Sequence, residues 1–236
     1  DYRAFISANY AFGGNNAATV VTAWDHPTPA REAAAERVVI TGVGAVSAFG
    51  LGMDALLAGL REGRRGLTAV DRLQLEGMRS HLAGLVPAFE SDDVDRRIDL
   101  DAMNPISRYA TAAAHFALQH AGIKVRRRNA DDVGIAMGIC NGPSEMGHMH
   151  SVFGTDTYAA DIASFANLTA NAPAGWVSHA LCLKGTNTTL SPGPHAGLQA
   201  MAYAFDALAE HRADCILAAA CFNLSRWYRF KAYRFR

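Results

Sequence analysis

The sequence has few cysteines and no excess of either charge. Its four cysteines show no close metal-type spacing, and three lie in apolar runs, where a free thiol behaves as a small hydrophobic side chain. This predicts buried thiols in a reducing compartment and no metal site. Twenty-two basic residues balance twenty-two acidic ones, so no field of the whole protein attracts or repels a polyanion.

Long apolar runs are also missing. No segment reaches the roughly eighteen apolar residues that a spanning helix needs, and the first residues lack the basic-then-apolar order of a secretory signal. We therefore expect a cytoplasmic protein without a membrane partner. Half of the 236 residues are hydrophobic, which suffices for a globular chain with one sizeable core or two small ones.

Three segments differ in character. Residues 1–22 place two β-prone runs around "GGNN", whose Gly and Asn supply the positive φ angles of a tight hairpin. Residues 23–36 hold two prolines and an alanine and glutamate run, as expected for an exposed connector. A new unit begins at Arg37 and extends over residues 37–236.

This unit alternates apolar strands with helices. The predicted strands are residues 37–41, 131–138, 187–190 and 214–220. The predicted helices have apolar stripes: Leu56, Leu57 and Leu60; Ala110, Ala114, Ala117, Leu118 and Ala121, with Ser107 as N-cap and Gly122 as stop signal; and Leu198, Met201, Phe205 and Leu208. Strands that are apolar throughout predict an α/β fold with a mostly parallel sheet covered on both faces.

Two patterns in the chain resemble ligand motifs. Gly42, Gly44 and Gly50 follow the first strand of this unit, but Ser47 stands where a dinucleotide loop needs its third glycine. Tight packing of the loop explains these glycines without a cofactor. His148 and His150 are a possible metal pair, but no third ligand of evident spacing follows, so solvated loop histidines are the preferred interpretation.

The stretch "KGTNTTLSPGPHAGLQA" predicts a strand that turns into a helix. Its turn contains Pro194 and His195 but no cysteine. His195 is a weak candidate for a general base, because it lies close to a helix start where anions bind. A Ser191–His195 hydrolase pair is not expected, since the two prolines and the glycine of "SPGPH" set the geometry of a loop.

Two basic stretches allow alternative interpretations. The cations Lys124, Arg126, Arg127 and Arg128 follow a helix end, either as a solvated turn or as a docking site for an acidic partner. The tail 226–236 has five basic and five aromatic residues, the composition of a nucleic-acid stacking surface. The remainder of the chain is mildly acidic, so we expect no nucleic-acid partner.

Six motifs in order over residues 37–221 resemble the ketosynthase branch of the thiolase-like superfamily, the β-ketoacyl synthases of fatty-acid and polyketide assembly. They are "RVVITGVGAVSAFG", "GRRG", "SRYATAAAHFALQHAGI", "DDVGIAMG", "NAPAGWVSHALCLKGTNTT" and "AGLQAMAYAFDALAEHRADCILAAA". The resemblance implies a thiolase-like layered fold, with the N-terminal half of a ketosynthase in residues 37–236.

The first residues resemble a different part of that family. "NYAFGGNNAATVV" is similar to the motif that closes a ketosynthase, so residues 1–22 are a C-terminal-type hairpin placed before an N-terminal half. Either the chain spans a seam between two ketosynthase-like units, or the hairpin completes the sheet of the half that follows it. The resemblance implies that backbone N–H groups at Phe12, Gly13 and Gly14 contribute to an oxyanion hole.

The resemblance also implies an acyl-transfer site without its nucleophile. In the family a cysteine at the strand-to-helix turn attacks an acyl thioester, and Pro194 stands at that position here. We therefore expect a chain-length-factor-type partner that has no catalytic residue and no cofactor, with acyl groups delivered on a phosphopantetheinyl carrier protein. Phe165 and Trp176 are the expected acyl-pocket or interface residues.

The expected partners are an active ketosynthase subunit or second ketosynthase-like unit, in a dimer, and an acyl carrier protein. The resemblance implies that this acidic carrier protein is what docks at Lys124, Arg126, Arg127 and Arg128. Two alternatives remain open. The chain could be an active β-ketoacyl synthase, an acyltransferase completed by a partner chain or by missing segments. It could also bind nucleic acid through its tail.

Overall fold

The computed structural model describes residues 4–10, 16–22, 37–70, 81–140, 167 and 169–222. In chain order they form β1 (Ala4–Tyr10), β2 (Asn16–Thr22), β3 (Val46–Ser47), β4 (Gly50–Leu51), α1 (Gly52–Arg61), β5 (Thr68–Ala69), β6 (Leu82–Ala83), a 3-10 turn (Ser91–Asp93), α2 (Pro105–His120), β7 (Val133–Ile139), α3 (Ala172–Leu181), β8 (Asn187–Leu190), α4 (Ala196–Ala209) and β9 (Cys215–Cys221). None of the helices in these ranges is long and apolar enough to traverse a bilayer.

The N-terminal hairpin forms as predicted. β1 and β2 pair antiparallel over their full length, from Ala4 opposite Thr22 to Tyr10 opposite Asn16. They form a two-stranded sheet of their own. The turn at residues 11–15 and the connector at 23–36 lie outside the described residues.

The central sheet has three parallel strands in the order β8-β7-β9. β7 lies in the middle and is buried at every position, which explains its uninterrupted apolar sequence. Three of the four strands predicted for this unit are therefore confirmed, as is the parallel arrangement.

The two faces of β7 are chemically different, because side chains alternate along a strand. Val133, Ile135, Met137 and Ile139 pack into one cluster with residues of α2 and α3. On the other face, Gly138 lies directly beneath α4: a Cβ at Gly138 would lie 2.3 Å from the carbonyl oxygen of Ala196. Helices thus lie on both faces of β7, as predicted.

The first turn of α2 is capped by Asn104, and the prediction of Ser107 was wrong. The Asn104 side chain accepts a hydrogen bond from the Ser107 backbone N–H at 2.8 Å, and Pro105 begins the helix. Proline is favoured there because its missing N–H has no partner in the first turn. Ser107 itself is fully buried. The stop signal is confirmed, since Gly122 has φ +69° just beyond the helix end.

The strand predicted at residues 37–41 is absent. Residues 37–45 have no regular secondary structure, and Val39 and Ile40 are 68% and 74% exposed. An apolar run becomes a strand only where a neighbouring backbone offers hydrogen bonds. In the described ranges, no strand pairs with residues 37–41. β9 is correspondingly an edge strand of the described sheet.

The glycines after this run serve packing. A Cβ at Gly42 would lie 2.4 Å from the carbonyl oxygen of Ala117, and a Cβ at Gly44 would lie 2.1 Å from that of Ala113. Both glycines therefore let the loop lie directly on the backbone of α2. Gly50 instead has φ +124°, which favours glycine in the turn before α1. The interpretation of this loop as a packing device is supported.

Two predicted apolar stripes do not face the core. α4 forms as predicted, but it buries Ala196, Ala200, Ala204 and Ala207, while Leu198, Met201 and Phe205 are exposed. In α1 the buried residue is Gly59, and Leu57 and Leu60 are exposed. Both helices pack through small residues because the structure beneath them approaches too closely for large side chains. α4 lies against the sheet at Gly138, and α1 lies against the Phe49 ring at Gly59.

Candidate functional site

The predicted strand, turn and helix are confirmed. β8 ends at Leu190, and α4 begins at Ala196 with His195 in the N-cap position. The turn depends on Gly193, whose φ of +108° is strained for other residues. The Gly193 carbonyl accepts a hydrogen bond from the Ala196 N–H at 3.0 Å, which closes the turn onto the helix.

The turn presents its side chains to solvent. Ser191, Pro194 and His195 are all exposed. The His195 side chain makes no capping hydrogen bond to the helix. Ser191 and His195 share no hydrogen bond in the described part of the chain. The helix start can attract an anionic oxygen through its free N–H groups, but the pyrrolidine ring of Pro194 offers no attacking atom.

The head of α4 is fixed against the sheet by close backbone contacts. Besides the approach at Gly138, a Cβ at Gly197 would lie 3.0 Å from the Ala220 Cβ of β9. The hydroxyl groups of Thr188 on β8 and Tyr203 on α4 lie 3.2 Å apart and hydrogen-bond. The position of Pro194 is therefore set by packing of three strands and a helix.

One cysteine lies at the same edge of the sheet as this turn. Gly138 pairs with Leu190, and Cys140 follows two residues later, just after the end of β7. Because β7 and β8 are parallel, their carboxyl ends meet at one edge, where the turn to α4 also begins. Cys140 is only partly exposed.

The other cysteines are unsuited to nucleophilic attack or lie elsewhere. Burial raises the pKa of the Cys221 thiol to about 12, and its Sγ lies 3.6 Å from the Met137 Sδ. Burial, reinforced by the Asp214 charge, also raises the pKa of Cys215. Both are therefore neutral thiols near pH 7. Cys182 ends α3 and is exposed, so the prediction of a buried thiol was wrong there; the left-handed end of a helix faces solvent.

Trp176 belongs to a polar junction between α2 and α3. Its indole N–H donates to the Asn167 Oδ1 at 2.8 Å, and the same oxygen accepts from the Asn104 backbone N–H at 3.1 Å. The ring also packs beside the cluster that contains Phe89 and Leu100. The contacts of Trp176 are therefore structural. Its expected role as a pocket or interface residue stays a prediction.

The four predicted docking cations lie on the connection between α2 and β7. Lys124, Arg126, Arg127 and Arg128 are all exposed. This connection enters the amino end of β7, whereas the turn with Pro194 leaves the carboxyl end of β8. The structure therefore places the cations and the turn at opposite edges of the sheet.

Several predicted residues lie outside the described ranges: Phe12, Gly13, Gly14, His148, His150, Phe165 and the tail 226–236. Within those ranges no three His, Cys, Asp or Glu side chains come together as metal ligands would.

Asn104 and Asn167 are the main residues that the sequence reasoning missed. Asn104 ties residue 167 to the start of α2, through the hydrogen bond from its side-chain Nδ2 to the Asn167 carbonyl at 2.7 Å. The dipeptide Asn-Pro was a readable signal, because it combines a preferred N-cap residue with a preferred first residue. No comparable local signal marks Asn167.

The whole unit matches one family. The family model described as "Beta-ketoacyl synthase, N-terminal domain" matches residues 35–233. Among curated proteins, 3-oxoacyl-[acyl-carrier-protein] synthase 1 of Escherichia coli (strain K12) is 36% identical over 122 residues, which cover 51% of this chain and 29% of that protein.

Solved structures match the fold over most of the chain. The ishigamide ketosynthase/chain length factor superimposes with a TM-score of 0.74 at 24% identity, covering 86% of this chain and 51% of that one. AntDE:AntF, a type II PKS acyl-carrier protein in complex with its ketosynthase bound to the hexaketide, gives 0.66 at 21% identity, covering 84% and 55%.

These neighbours confirm the ketosynthase-type, thiolase-like α/β fold. The chain spans about half the length of these structures, and less of the Escherichia coli synthase. By its match over residues 35–233, the chain belongs to the β-ketoacyl synthase family, through that family's N-terminal domain.

Proposed function

We propose that this chain is a non-catalytic, chain-length-factor-type ketosynthase partner in fatty-acid or polyketide biosynthesis, which shapes the acyl pocket of an active ketosynthase. The observation that carries the proposal is Pro194. It stands in an exposed turn at the head of α4, which is the position that the resemblance to the family implies for the cysteine. The proline side chain has no thiol, hydroxyl or amine, so it cannot accept an acyl group from a thioester.

The surroundings of the turn support this proposal. Thiolate is the species that attacks an acyl group, and reactive cysteines have a lowered pKa. The pKa of Cys221, at the end of β9, is raised instead. His195 is exposed and has no capping role, so it offers no fixed geometry for proton transfer. The turn thus keeps the shape of a nucleophile site without its chemistry.

The proposed partners follow from the family. The Escherichia coli relative is named for acyl-carrier protein, and AntDE:AntF contains one. We accordingly propose that acyl groups reach the complex on a phosphopantetheinyl carrier, with no other cofactor, and that an active ketosynthase subunit completes a dimer. Phe165 and Trp176 are the proposed pocket or interface residues.

The order of segments suggests that the partner is a second ketosynthase-like unit joined through the connector. The family match begins at residue 35, after the hairpin and within the last two residues of the connector. We propose that residues 1–22 end one ketosynthase-like unit, that 23–36 link the units, and that 37–236 begin the second. The separate pairing of β1 with β2 supports this division.

An acylation assay tests the missing nucleophile. The purified chain is incubated with a radiolabelled acyl carrier protein, and protein-bound label is mapped by peptide mass spectrometry. We expect no acyl adduct on the native chain. A stable adduct, whether at Cys140, Ser191 or His195, would contradict the proposal and favour the alternative of an active acyltransferase.

The variant Pro194→Cys tests whether the turn can still activate a thiol, so that the absence of an adduct on the native chain can be assigned to the missing nucleophile. A thiol at the head of a helix gains thiolate character from the helix dipole, so this variant is expected to react with iodoacetamide faster than Cys182, the exposed cysteine of the native chain. Cys182→Ala in both backgrounds serves as the control. A thiol at position 194 that reacts no faster than Cys182 would show that the turn no longer has the geometry of a nucleophile site.

A further inference from the structure

The outward face of α4 is apolar along most of its length. Leu198, Met201 and Phe205 are 72%, 48% and 52% exposed, and Leu208 continues the row and is partly exposed. Successive members are separated by three, four and three positions, which places them on one side of the helix. These four residues are called the α4 outer stripe.

The rest of α4 lacks the charges of a helix that faces water. In the 14 residues of Ala196–Ala209, Asp206 is the only one with a formal charge. The side that faces the sheet consists of alanines, so both sides of the helix are apolar. A helix that is hydrophobic all round is normally buried, and an exposed apolar patch marks an interaction site. The α4 outer stripe therefore has the composition of an interface.

The spacing of the α4 outer stripe favours another helix as its partner. Apolar residues that alternate between three and four positions apart form the seam of two-helix packing, in which side chains of one helix fill gaps on the other. Ala202 is small, exposed and beside the stripe, so it would let two helix axes approach closely. A lipid surface fits less well, because helices that lie on membranes carry Lys or Arg beside their apolar face, and α4 has neither.

The two ends of α4 fit a partner helix that runs antiparallel. The N-terminal end begins at His195, whose side chain forms no cap, and the first turn has no acidic residue. The last turn has no basic residue and carries Asp206, which no ion pair reaches within the described residues. The positive end of the helix dipole is thus uncompensated, and a carboxylate lies at the negative end. An antiparallel helix of the same sequence would bring each Asp206 to the start of the other helix.

A two-fold axis beside Ala202 gives this arrangement its register. Leu198 of one copy then lies opposite Phe205 of the second copy, because each is about 5 Å from the axis at 1.5 Å per residue. By the same count, Asp206 lies opposite Gly197, in the first turn of the other α4. Both copies make identical contacts, as a closed two-fold interface requires.

We infer that the α4 outer stripe is a self-association surface, on which a second copy of this chain packs its own α4 in the antiparallel direction. The inference rests on the exposed stripe and on the charges at the helix ends, and it is independent of the proposed function. Only one helix of each copy takes part, so the contact falls below the about 1,200 Å² of total buried surface that stable complexes reach.

Such a small contact predicts weak association. We expect a dissociation constant of about 10–100 µM, which leaves the chain monomeric at the concentration of about 1 µM that suits unfolding measurements.

Sedimentation equilibrium of the full chain between about 1 and about 300 µM tests the self-association. The weight-average mass should rise from that of one chain towards that of two. Met201→Glu places a carboxylate beside the two-fold axis, next to the same charge of the second copy, and should weaken association at least about tenfold. Leu60→Glu is the matched control: it makes the same kind of change at a 60% exposed residue of α1 and should leave association within about twofold.

Disulfide cross-linking tests the direction of the two helices. The background is Cys182→Ala, which removes the exposed native thiol. Leu198→Cys and Phe205→Cys are oxidised with copper phenanthroline at about 300 µM, separately and as a mixture. An antiparallel pair should give a cross-linked dimer mainly in the mixture, between positions 198 and 205, whereas a parallel pair would link each variant to itself.

Four results would overturn the inference: a chain that stays monomeric at about 300 µM, equal effects of Met201→Glu and Leu60→Glu, self-linked Leu198→Cys dimers that outnumber mixed ones, or binding to phosphatidylcholine vesicles that Met201→Glu abolishes. The acylation assay detects a covalent adduct on a single chain. It therefore fails or succeeds separately from these measurements.

Discussion

Helices α2 and α4 lie on opposite faces of one parallel sheet and differ in whether they also bury large apolar residues. α2 meets large side chains of β7 and buries Ala110, Ala114 and Leu118 among them. α4 meets the face that contains Gly138, buries alanines and exposes Leu198 and Phe205. The contrast shows that the support beneath a helix, and not the helix alone, selects which stripe is buried.

The largest expected effect comes from truncating a side chain on the face of β7 that packs against α2 and α3. Ile135 is fully buried between the helices on that face. Ile135→Ala should lower the free energy of unfolding by about 2–5 kcal/mol, because it removes packing atoms and leaves a cavity. Urea unfolding measures this loss. Ile135→Val, the matched milder change, should cost about 0.5–1.5 kcal/mol; a similar loss in both variants would contradict the packing described for this face.

A pH titration probes the same face at Cys221. Burial raises the pKa of this thiol from 9.0 to about 12 in the folded chain. The unfolded chain releases the proton first, so stability that is present below pH 9 is lost as the pH rises from 9 towards 12. A shift of three pKa units corresponds to at most about 4 kcal/mol.

Urea unfolding between pH 8 and pH 10.5 should therefore show a declining free energy of unfolding that is less steep in Cys221→Ala. Cys140→Ala is the matched control, because it removes a thiol that lies outside that cluster. Identical slopes in the native chain and in Cys221→Ala would show that this thiol is accessible to water.

The opposite face of β7, which packs against α4, is tested at Gly138. A Cβ there would lie 2.3 Å from the Ala196 carbonyl oxygen, so Gly138→Ala must push α4 away from the sheet. We expect a loss of about 1–3 kcal/mol in thermal or urea unfolding. Gly175→Ala makes the same chemical change in α3, where nothing lies within 4 Å of the new Cβ.

This control should be neutral or stabilising by up to about 1 kcal/mol, since alanine is the better helix former. If the two glycine variants lose equal stability, the close approach of α4 to β7 is not what fixes the helix.

The same contrast explains what the sequence could predict. β7 was readable because a strand buried on both faces must be apolar throughout. β9 has the same composition, although it is only partly buried, whereas the largely polar sequence of β8 does not follow this rule. The run at residues 37–41 has that composition too, yet a strand needs a neighbour that composition does not reveal. The turn before α4 was readable from its glycine and prolines, which restrict the backbone locally.

The buried stripe of α4 was not readable. Its alanines and its large residues both recur at helical spacing, so periodicity finds the helix and leaves the buried face undecided. The choice is made by Gly138, almost sixty positions earlier in the chain. Asn167 was missed for a similar reason, because its partners Asn104 and Trp176 lie on two different helices.

The smallest effect is expected on the outward face of α4. Phe205 is 52% exposed and Leu198 is 72% exposed, so Phe205→Ala should change the free energy of unfolding of this chain by no more than about 0.5 kcal/mol. The comparison is with Ala204→Leu, one position along the helix, which forces a large side chain against the sheet and should cost about 1–3 kcal/mol. Urea unfolding of both variants measures the difference. A loss above about 2 kcal/mol in Phe205→Ala would mean that the phenyl ring is buried in solution. Large side chains would then be buried by the helices on both faces of the sheet.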